Sequence, residues 1–175
     1  MNRLFLAAAL MALSVLPAMA ETDNSSLEFM VGNWSLETWF LVPGGEKMEA
    51  TAQLKVEAIL DGSGVVMQER HEPQIAGRPP FHETMVLGMD PRTDEIEGAS
   101  VNSLGNRKLN EGAFEGDQLV LEQSGEMFGG KSGRNRLTWT RITPDQFTLQ
   151  LDRFDETTGQ WQKAQYGYVA NRTNE

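Results

Sequence analysis

The sequence contains 175 residues, of which 25 are acidic and 15 are basic, so its formal net charge is -10 at pH 7. It has no cysteine, which excludes disulfides, thiol catalysis, thiolate metal sites and the lipid-bearing cysteine of a bacterial lipoprotein. A strongly acidic surface repels nucleic acid and anionic lipid headgroups, so we expect neither as a partner.

The first twenty residues have the three parts of a secretory signal peptide. Arg3 precedes an apolar run from Leu4 to Leu16, and the small residues of Ala18-Met19-Ala20 stand before an acidic stretch. The run is too short for a membrane anchor, because crossing a bilayer takes about 20 apolar residues. We therefore expect cleavage after Ala20, export to the periplasm or the medium, and one soluble domain over residues 21–175.

The predicted elements of the mature chain are almost all strands. Leu27–Val31 is typical of one helical turn, and strict alternation from Met48 to Ala58 predicts an antiparallel strand with one wet face. Further strands are predicted, in chain order, over residues 34–42, 64–72, 81–89, 119–121, 137–142, 147–151 and 161–170. Roughly ten strands with short turns predict an all-β fold, an antiparallel meander closed into a barrel, because closure removes exposed sheet edges.

Short motifs along the chain resemble those of lipocalin-like barrels. Leu27 to Trp34 is similar to the opening of that superfamily, where Gly-x-Trp starts the first strand; here these are Gly32 and Trp34. Further segments resemble, in order, the DUF1579 family of uncharacterised bacterial proteins, namely residues 60–62, 66–69, 80–83, 87–90 and 171–172.

The resemblance implies a lipocalin-like barrel with an internal cavity. It implies structural roles for Gly32, Trp34 and Arg172, with Trp34 closing one barrel end and the Arg172 guanidinium lying across the ring as a cation–π contact. Related nitrobindin-type barrels bind haem through a histidine near the C-terminus, whereas the two histidines here, His71 and His82, lie in the first half. The resemblance therefore argues against haem.

Residues 125–132 match the phosphate-loop pattern G-x4-G-K-S. Nucleotide binding by this motif needs a strand before it and a helix after it, because the helix N-terminus meets the phosphates. A strand is predicted before the motif, but Gly133 to Thr140 also alternates as a strand does. We therefore expect a glycine-rich hairpin loop here and no bound nucleotide.

The two predicted strands on either side of the proline-rich loop 73–80 contain both histidines. A simple hairpin pairs His71 with His82 and puts Glu69 and Thr84 on the same face. Two histidines and a carboxylate offer ligands to a divalent metal, and a histidine beside a glutamate can transfer protons. A surface position near the hairpin end is the plainer interpretation of both histidines.

The other face of this hairpin then has Arg70 and Glu83 as an ion pair near Met85. Which face lies inside stays open, because one bulge reverses the choice. Mixed polar and apolar faces are expected where a barrel interior holds water or a ligand. We therefore predict that at least one of the carboxylates Glu69 and Glu83 points into the barrel.

These patterns predict an exported barrel that binds a small, largely apolar ligand in its interior. The candidate ligand-binding residues combine polar groups with a flexible thioether and an aromatic ring, and are Glu69, His71, Glu83, Met85 and Trp139. Two alternatives stay open. One is an enzyme that uses the same cavity through a His/Glu acid–base pair or a metal, and the other is an envelope interaction module without a ligand.

Overall fold

The computed structural model describes residues 26–42, 44–72, 80–126 and 131–174, so the predicted signal peptide lies outside the described residues. Within them a 3₁₀ turn, Leu27–Met30, precedes ten strands, and a second one, Leu60–Gly62, joins the second strand to the third. The strands are β1 Gly32–Leu41, β2 Lys47–Ile59, β3 Gly64–His71, β4 Phe81–Met89, β5 Ile96–Asn102, β6 Arg107–Glu115, β7 Gln118–Glu126, β8 Ser132–Thr143, β9 Gln146–Asp155 and β10 Gln160–Arg172. Neither helical turn of this part of the chain has the length and apolar character that crossing a membrane requires.

The strands form a closed antiparallel barrel. Each strand pairs with its neighbours in sequence, and β1 pairs with β10 to complete the ring. Every strand therefore has two hydrogen-bonded neighbours, and no sheet edge is left exposed. This confirms the predicted all-β meander of about ten strands, and the helical turn expected before the first strand is present as well.

The second strand shows why the alternating sequence makes a barrel wall. Ala52, Leu54 and Val56 are buried on the inner face of β2, whereas Gln53 and Lys55 between them are exposed. Successive side chains of a strand point to opposite sides, so this pattern gives one dry and one wet face. Burial of the apolar face sets which side of the sheet becomes the barrel interior.

One barrel end is closed by the 3₁₀ turn and the start of β1. The Trp34 side chain is 2% exposed, and its Nε1 donates a hydrogen bond to the Met30 carbonyl at 2.8 Å. The Arg172 guanidinium carbon lies 4.1 Å from the Trp34 ring centroid, which is the cation–π contact that the family resemblance implies. Arg172 Nη1 also donates to the Val31 carbonyl at 2.8 Å, so it ties the end of β10 to the segment before β1.

Gly32 makes this close approach possible. Its φ is +140°, and a Cβ at this position would lie 2.3 Å from Arg172 Nη1. A larger residue would therefore have to displace the guanidinium from the position in which it covers Trp34.

Apolar side chains fill the interior next to this closed end. Neighbouring strands run antiparallel, so the starts of odd-numbered strands and the ends of even-numbered strands lie together. The Phe147 ring packs at 4.6 Å from the Trp34 ring, 5.8 Å from Phe29 and 6.1 Å from Tyr168, measured between centroids. We call this cluster the apolar floor; it also includes Leu36, Leu54, Val56, Val65, Met67, Met85, Leu87, Ile96, Leu119, Leu121, Leu137, Trp139 and Ala170.

A buried carboxylate holds an irregularity in β10. The register between β9 and β10 shifts between Gln162 and Tyr166, where Ala164 has a φ of +52°. Asp152 accepts a hydrogen bond from the Ala164 backbone N–H at 2.9 Å and from Lys163 Nζ at 2.7 Å. Burial raises the pKa of Asp152, but these hydrogen bonds outweigh it and the pKa lies below its usual value.

Candidate functional site

Polar side chains line much of the inside of the barrel above the apolar floor. They lie near the ends of β3, β5 and β7 and near the starts of β4, β6 and β8, and β1 and β10 contribute one residue each. We call this set the polar belt; it consists of Thr38, Glu69, His71, Glu83, Ser100, Asn102, Asn106, Lys108, Asn110, Gln123, Asn135 and Tyr166. Buried polar groups in such number are unusual for a folded interior, so the belt is the candidate site.

The first part of the belt joins β3 to β10 across the interior. His71 Nε2 lies 2.5 Å from Glu69 Oε1, and the Tyr166 hydroxyl donates to the same oxygen at 2.6 Å. Glu69 and His71 side chains are 18% and 14% exposed. Burial, followed by the charge of Glu69, raises the pKa of Tyr166 well above its usual value. The phenol therefore stays protonated and acts as a hydrogen-bond donor.

The second part of the belt is an ion pair between β4 and β6. Lys108 Nζ donates to both carboxylate oxygens of Glu83, at 2.8 and 3.2 Å. The Lys108 side chain is 9% exposed, so water screens the pair weakly. Each partner neutralises the other, and neither charge is left uncompensated inside the barrel.

The third part is a chain of side-chain amides across β6, β7 and β8. Asn135 Nδ2 donates to Gln123 Oε1 at 3.1 Å, and Gln123 Nε2 donates to Asn110 Oδ1 at 3.0 Å. The three residues are direct cross-strand partners in the register, which explains the short distances between their side chains. The chain ends at the Asn110 Nδ2 group.

Several buried atoms of the belt have no hydrogen-bond partner among the described residues. They are the Thr38 and Ser100 hydroxyls and the Nδ2 groups of Asn102, Asn106 and Asn110. Folded proteins satisfy the large majority of such groups, so a concentration of them in one region calls for an explanation. Water or a bound ligand would supply the missing partners.

The boundary between belt and floor is aromatic and thioether-rich. Trp139 Nε1 donates to the Tyr168 hydroxyl at 3.1 Å, and Met67 and Met85 are direct cross-strand partners on the inner face of β3 and β4. Burial, followed by the charge of Glu69, raises the pKa of Tyr168 well above its usual value. This surface would contact an apolar portion of any molecule held by the belt.

The candidate residues chosen from the sequence all face the interior. Glu69, His71 and Glu83 belong to the belt, and Met85 and Trp139 belong to the floor directly beneath it. Both carboxylates are largely buried, as predicted for at least one of them.

The predicted register of the β3–β4 hairpin is wrong by one residue. His71 pairs with Phe81, and His82 pairs with Arg70. A shift of one residue moves side chains to the other face, so the two histidines lie on opposite sides of the wall. The expected ion pair of Arg70 with Glu83 is wrong for the same reason, since Arg70 is exposed and Glu83 binds Lys108.

The metal alternative finds no support in the described ranges. No three histidine, aspartate or glutamate side chains of these ranges form a group that could hold a metal ion. The shift in register explains why the expected cluster is absent there, because His82 and Thr84 point outward while Glu69 and His71 point inward.

The G-x4-G-K-S match lies at the β7–β8 connection. Glu126 ends β7, and Ser132 already begins β8, while residues 127–130 lie outside the described residues. The segment after the motif is the predicted strand, and so the helix N-terminus on which a phosphate loop depends is missing from this part of the chain.

Nine of the twelve belt residues were not among the candidates identified from the sequence. Asn102, Lys108, Asn110 and Gln123 occupy inner positions of β5, β6 and β7, and Asn106 lies just before β6. Hydrophobic alternation is misleading here, because Val101 and Leu109 are exposed while the polar residues next to them in the sequence face the interior. The signal for Lys108 and Asn110 was their spacing of two, which places both polar side chains on one face of a strand.

A concave region of about 910 Å³ lies on the outer face of β5 to β10. Four of its charged residues form two ion pairs: Arg136 with Glu122 at 3.0 Å, and Lys163 with Asp152 at 2.7 Å. None of the buried atoms without a partner among the described residues belongs to its lining. The interior is therefore the stronger candidate site.

Comparisons with known proteins agree with the fold. The chain is similar to the crystal structure of Rv2717c from M. tuberculosis, with a TM-score of 0.63 and 18% sequence identity, over 85% of this chain and 95% of that one. At this identity the likeness shows the barrel fold alone. The family model DUF1579, described as a protein of unknown function, matches residues 20–168 and confirms the resemblance found in the sequence. No curated protein matches the chain.

Proposed function

The chain belongs to the DUF1579 family, and we propose that it binds a small polar ligand inside the barrel, against the polar belt. The observation that carries this proposal is the set of buried belt atoms without a partner among the described residues, from Thr38 on β1 to Asn110 on β6. Each such atom costs about 1–3 kcal/mol when it is buried and unpaired. A ligand that supplies the missing hydrogen bonds would recover this free energy on binding.

The proposed ligand differs from the one expected from the sequence. That expectation, a largely apolar ligand, rested on methionines and aromatic rings, of which Met67, Met85 and Trp139 lie in the floor. The belt above them consists of amides, hydroxyls and paired charges, which an apolar molecule would leave unsatisfied. A polar group in the belt with an apolar portion on the floor uses both surfaces. Burial of both carboxylates also favours a ligand over the interaction-module alternative.

Native mass spectrometry tests the proposal directly. Protein purified from its own host under mild conditions should retain a small molecule that denaturation releases. Ser100→Leu fills the belt with an apolar side chain and should abolish retention. Ser124→Leu is the matched control, because Ser124 is exposed on the outer face of β7, and it should retain the molecule. Wild-type protein without any bound molecule, or equal occupancy in both folded variants, would contradict the proposal.

A second candidate function is acid–base catalysis in the same interior. The supporting observation is the contact of His71 Nε2 with Glu69 Oε1 at 2.5 Å, since a carboxylate that orients an imidazole prepares it for proton transfer. His71→Gln keeps a hydrogen-bonding side chain but removes the base. If the retained molecule changes mass on incubation with wild-type protein and not with His71→Gln, catalysis is supported; an unchanged molecule in both leaves binding alone.

Export is part of the proposal. The support is the sequence of residues 1–20, with its basic start, apolar run and Ala18-Met19-Ala20 exit. The intact mass of protein from the periplasmic fraction should correspond to a chain that begins at Glu21. A mature protein that still begins at Met1 would contradict it.

A further inference from the structure

Three asparagines form a wall of hydrogen-bond donors inside the barrel. Asn102 ends β5, Asn106 lies just before β6, and Asn110 lies within β6, four residues after Asn106. Their exposures are 6%, 6% and 2%, and none of their Nδ2 groups has a hydrogen-bond partner among the described residues. Amide nitrogens carry two N–H donors each, so this wall has a surplus of donors.

The hydrogen bonds of the amide oxygens fix which way two of these side chains point. Asn102 Oδ1 accepts from the backbone N–H groups of Leu104 at 3.0 Å and Asn106 at 3.2 Å. Asn110 Oδ1 accepts from Gln123 Nε2 at 3.0 Å. Each oxygen is occupied, so the NH₂ group is the free end. A molecule that fits this wall must therefore bring acceptors.

The charges of the belt indicate that these acceptors are uncharged. Lys108 donates to both oxygens of Glu83, while Glu69 contacts His71 and accepts from Tyr166. A ligand with its own charge would bring a further buried charge without a free counter-charge, which costs more than it recovers. A neutral oxygen acceptor meets the free amides without this penalty.

We infer that the ligand of the proposed site presents uncharged carbonyl oxygens, as in amides, esters or ketones, along the wall formed by Asn102, Asn106 and Asn110. The inference rests on the proposed function and specifies the chemical class of its ligand. The carbon skeleton attached to these carbonyls lies on the thioethers of Met67 and Met85 and the Trp139 ring. The compound is therefore amphipathic, with its polar end toward β5 and β6.

Three probes with one carbon skeleton test the inference: pentanamide, pentanoate and pentylamine. The readout is the side-chain NH₂ signals of Asn102, Asn106 and Asn110 in ¹H–¹⁵N spectra of the folded protein. Pentanamide should shift these signals in a saturable way, and the other two should not. Saturable shifts with pentanoate or pentylamine at equal or lower concentration would overturn the inference.

An isosteric pair of variants checks that the donors themselves are responsible. Asn102→Asp keeps the oxygen that accepts from the two backbone N–H groups, but replaces the free donor with an acceptor. It should weaken pentanamide binding at least tenfold, as measured from the side-chain NH₂ signals of the neighbouring Asn106. Gln53→Glu makes the same chemical change on the exposed face of β2 and should leave the affinity unchanged. If Asn102→Asp does not fold, Asn110→Asp takes its place.

Unchanged affinity in the folded Asn102→Asp or Asn110→Asp variant would overturn the inference. So would a failure of all three probes to shift the asparagine signals. Either result leaves the proposed function standing if native mass spectrometry finds a retained molecule. Only an empty wild-type barrel argues against both.

Discussion

Replacing Thr38 with valine should stabilise the ligand-free protein. Thr38 is 2% exposed on the inner face of β1, and its hydroxyl has no partner among the described residues. Valine has nearly the same shape and a methyl group in place of the hydroxyl. The change removes an unpaired buried group whose desolvation costs about 1–3 kcal/mol. We therefore expect the free energy of unfolding to rise by about 1 kcal/mol, or the Tm by about 2–4 °C.

Urea unfolding followed by tryptophan fluorescence measures this effect. The midpoint should rise while the slope of free energy against urea stays constant, because the surface exposed on unfolding hardly changes. Thr51→Val is the matched control, since Thr51 is exposed on the outer face of β2; we expect its stability to change by less than about 0.5 kcal/mol.

The sign of the change is what tests the reasoning. A loss of about 1 kcal/mol or more in ligand-free Thr38→Val would show that the hydroxyl has a good partner, such as an ordered water, and would refute it. If the ligand forms a hydrogen bond with this hydroxyl, wild-type protein saturated with ligand should be more stable than Thr38→Val under the same conditions. The reason is that a ligand bound to the native state adds to its stability, and the variant lacks the hydroxyl.

Three other perturbations probe the titrating groups and the closed end. The chain has two tyrosines, Tyr166 and Tyr168, and burial raises the pKa of both in the folded protein. The unfolded protein therefore loses these phenol protons at a lower pH, and the free energy of unfolding falls as the pH rises above about 10. Phenolate absorbance should appear only together with unfolding. Phenolate in a protein with native circular dichroism would contradict this. Trp34→Ala should cost about 3–5 kcal/mol in urea unfolding, through lost burial and the cavity left behind, and wild-type melting would contradict it. The pKa of Asp152 lies below its usual value despite burial, so its ionised carboxylate stabilises the folded protein at a pH above about 4, its pKa in the unfolded chain. Asp152→Asn should lower the free energy of unfolding by about 1–2 kcal/mol at pH 7. This difference from wild type should shrink as the pH falls below about 4.

The barrel could be predicted because its closed half obeys simple alternation. In β2, buried Ala52, Leu54 and Val56 alternate with exposed residues, and the pattern alone indicates an antiparallel wall. The contact of Trp34 with Arg172 could not follow from alternation, because the two residues are 138 positions apart and meet only when β1 pairs with β10. The family resemblance supplied that pairing.

The belt could be predicted only in part. Glu69 and Glu83 were found because polar residues interrupt an apolar face, but their partners Tyr166 and Lys108 lie on β10 and β6, far away in sequence. The register of β3 and β4 depends on the conformation of the loop between them, which composition does not fix. A register error of one residue placed His71 opposite His82 in the prediction, whereas in the structure the two side chains lie on opposite faces of the wall.

The division of the interior into a floor and a belt has an energetic consequence. The floor buries large apolar side chains such as Trp34, Phe147 and Leu119, and a buried side chain of this kind contributes roughly 1.5–3 kcal/mol. The belt works against this, because atoms such as Ser100 Oγ and Asn110 Nδ2 lose their hydration without gaining a partner from the described residues. A barrel selected for stability alone would extend the floor into the belt. Retaining unpaired polar groups at the expense of stability is the pattern expected of a binding site. Substitutions that fill the belt with apolar groups should therefore raise the stability of the ligand-free barrel and at the same time remove its capacity to bind the ligand.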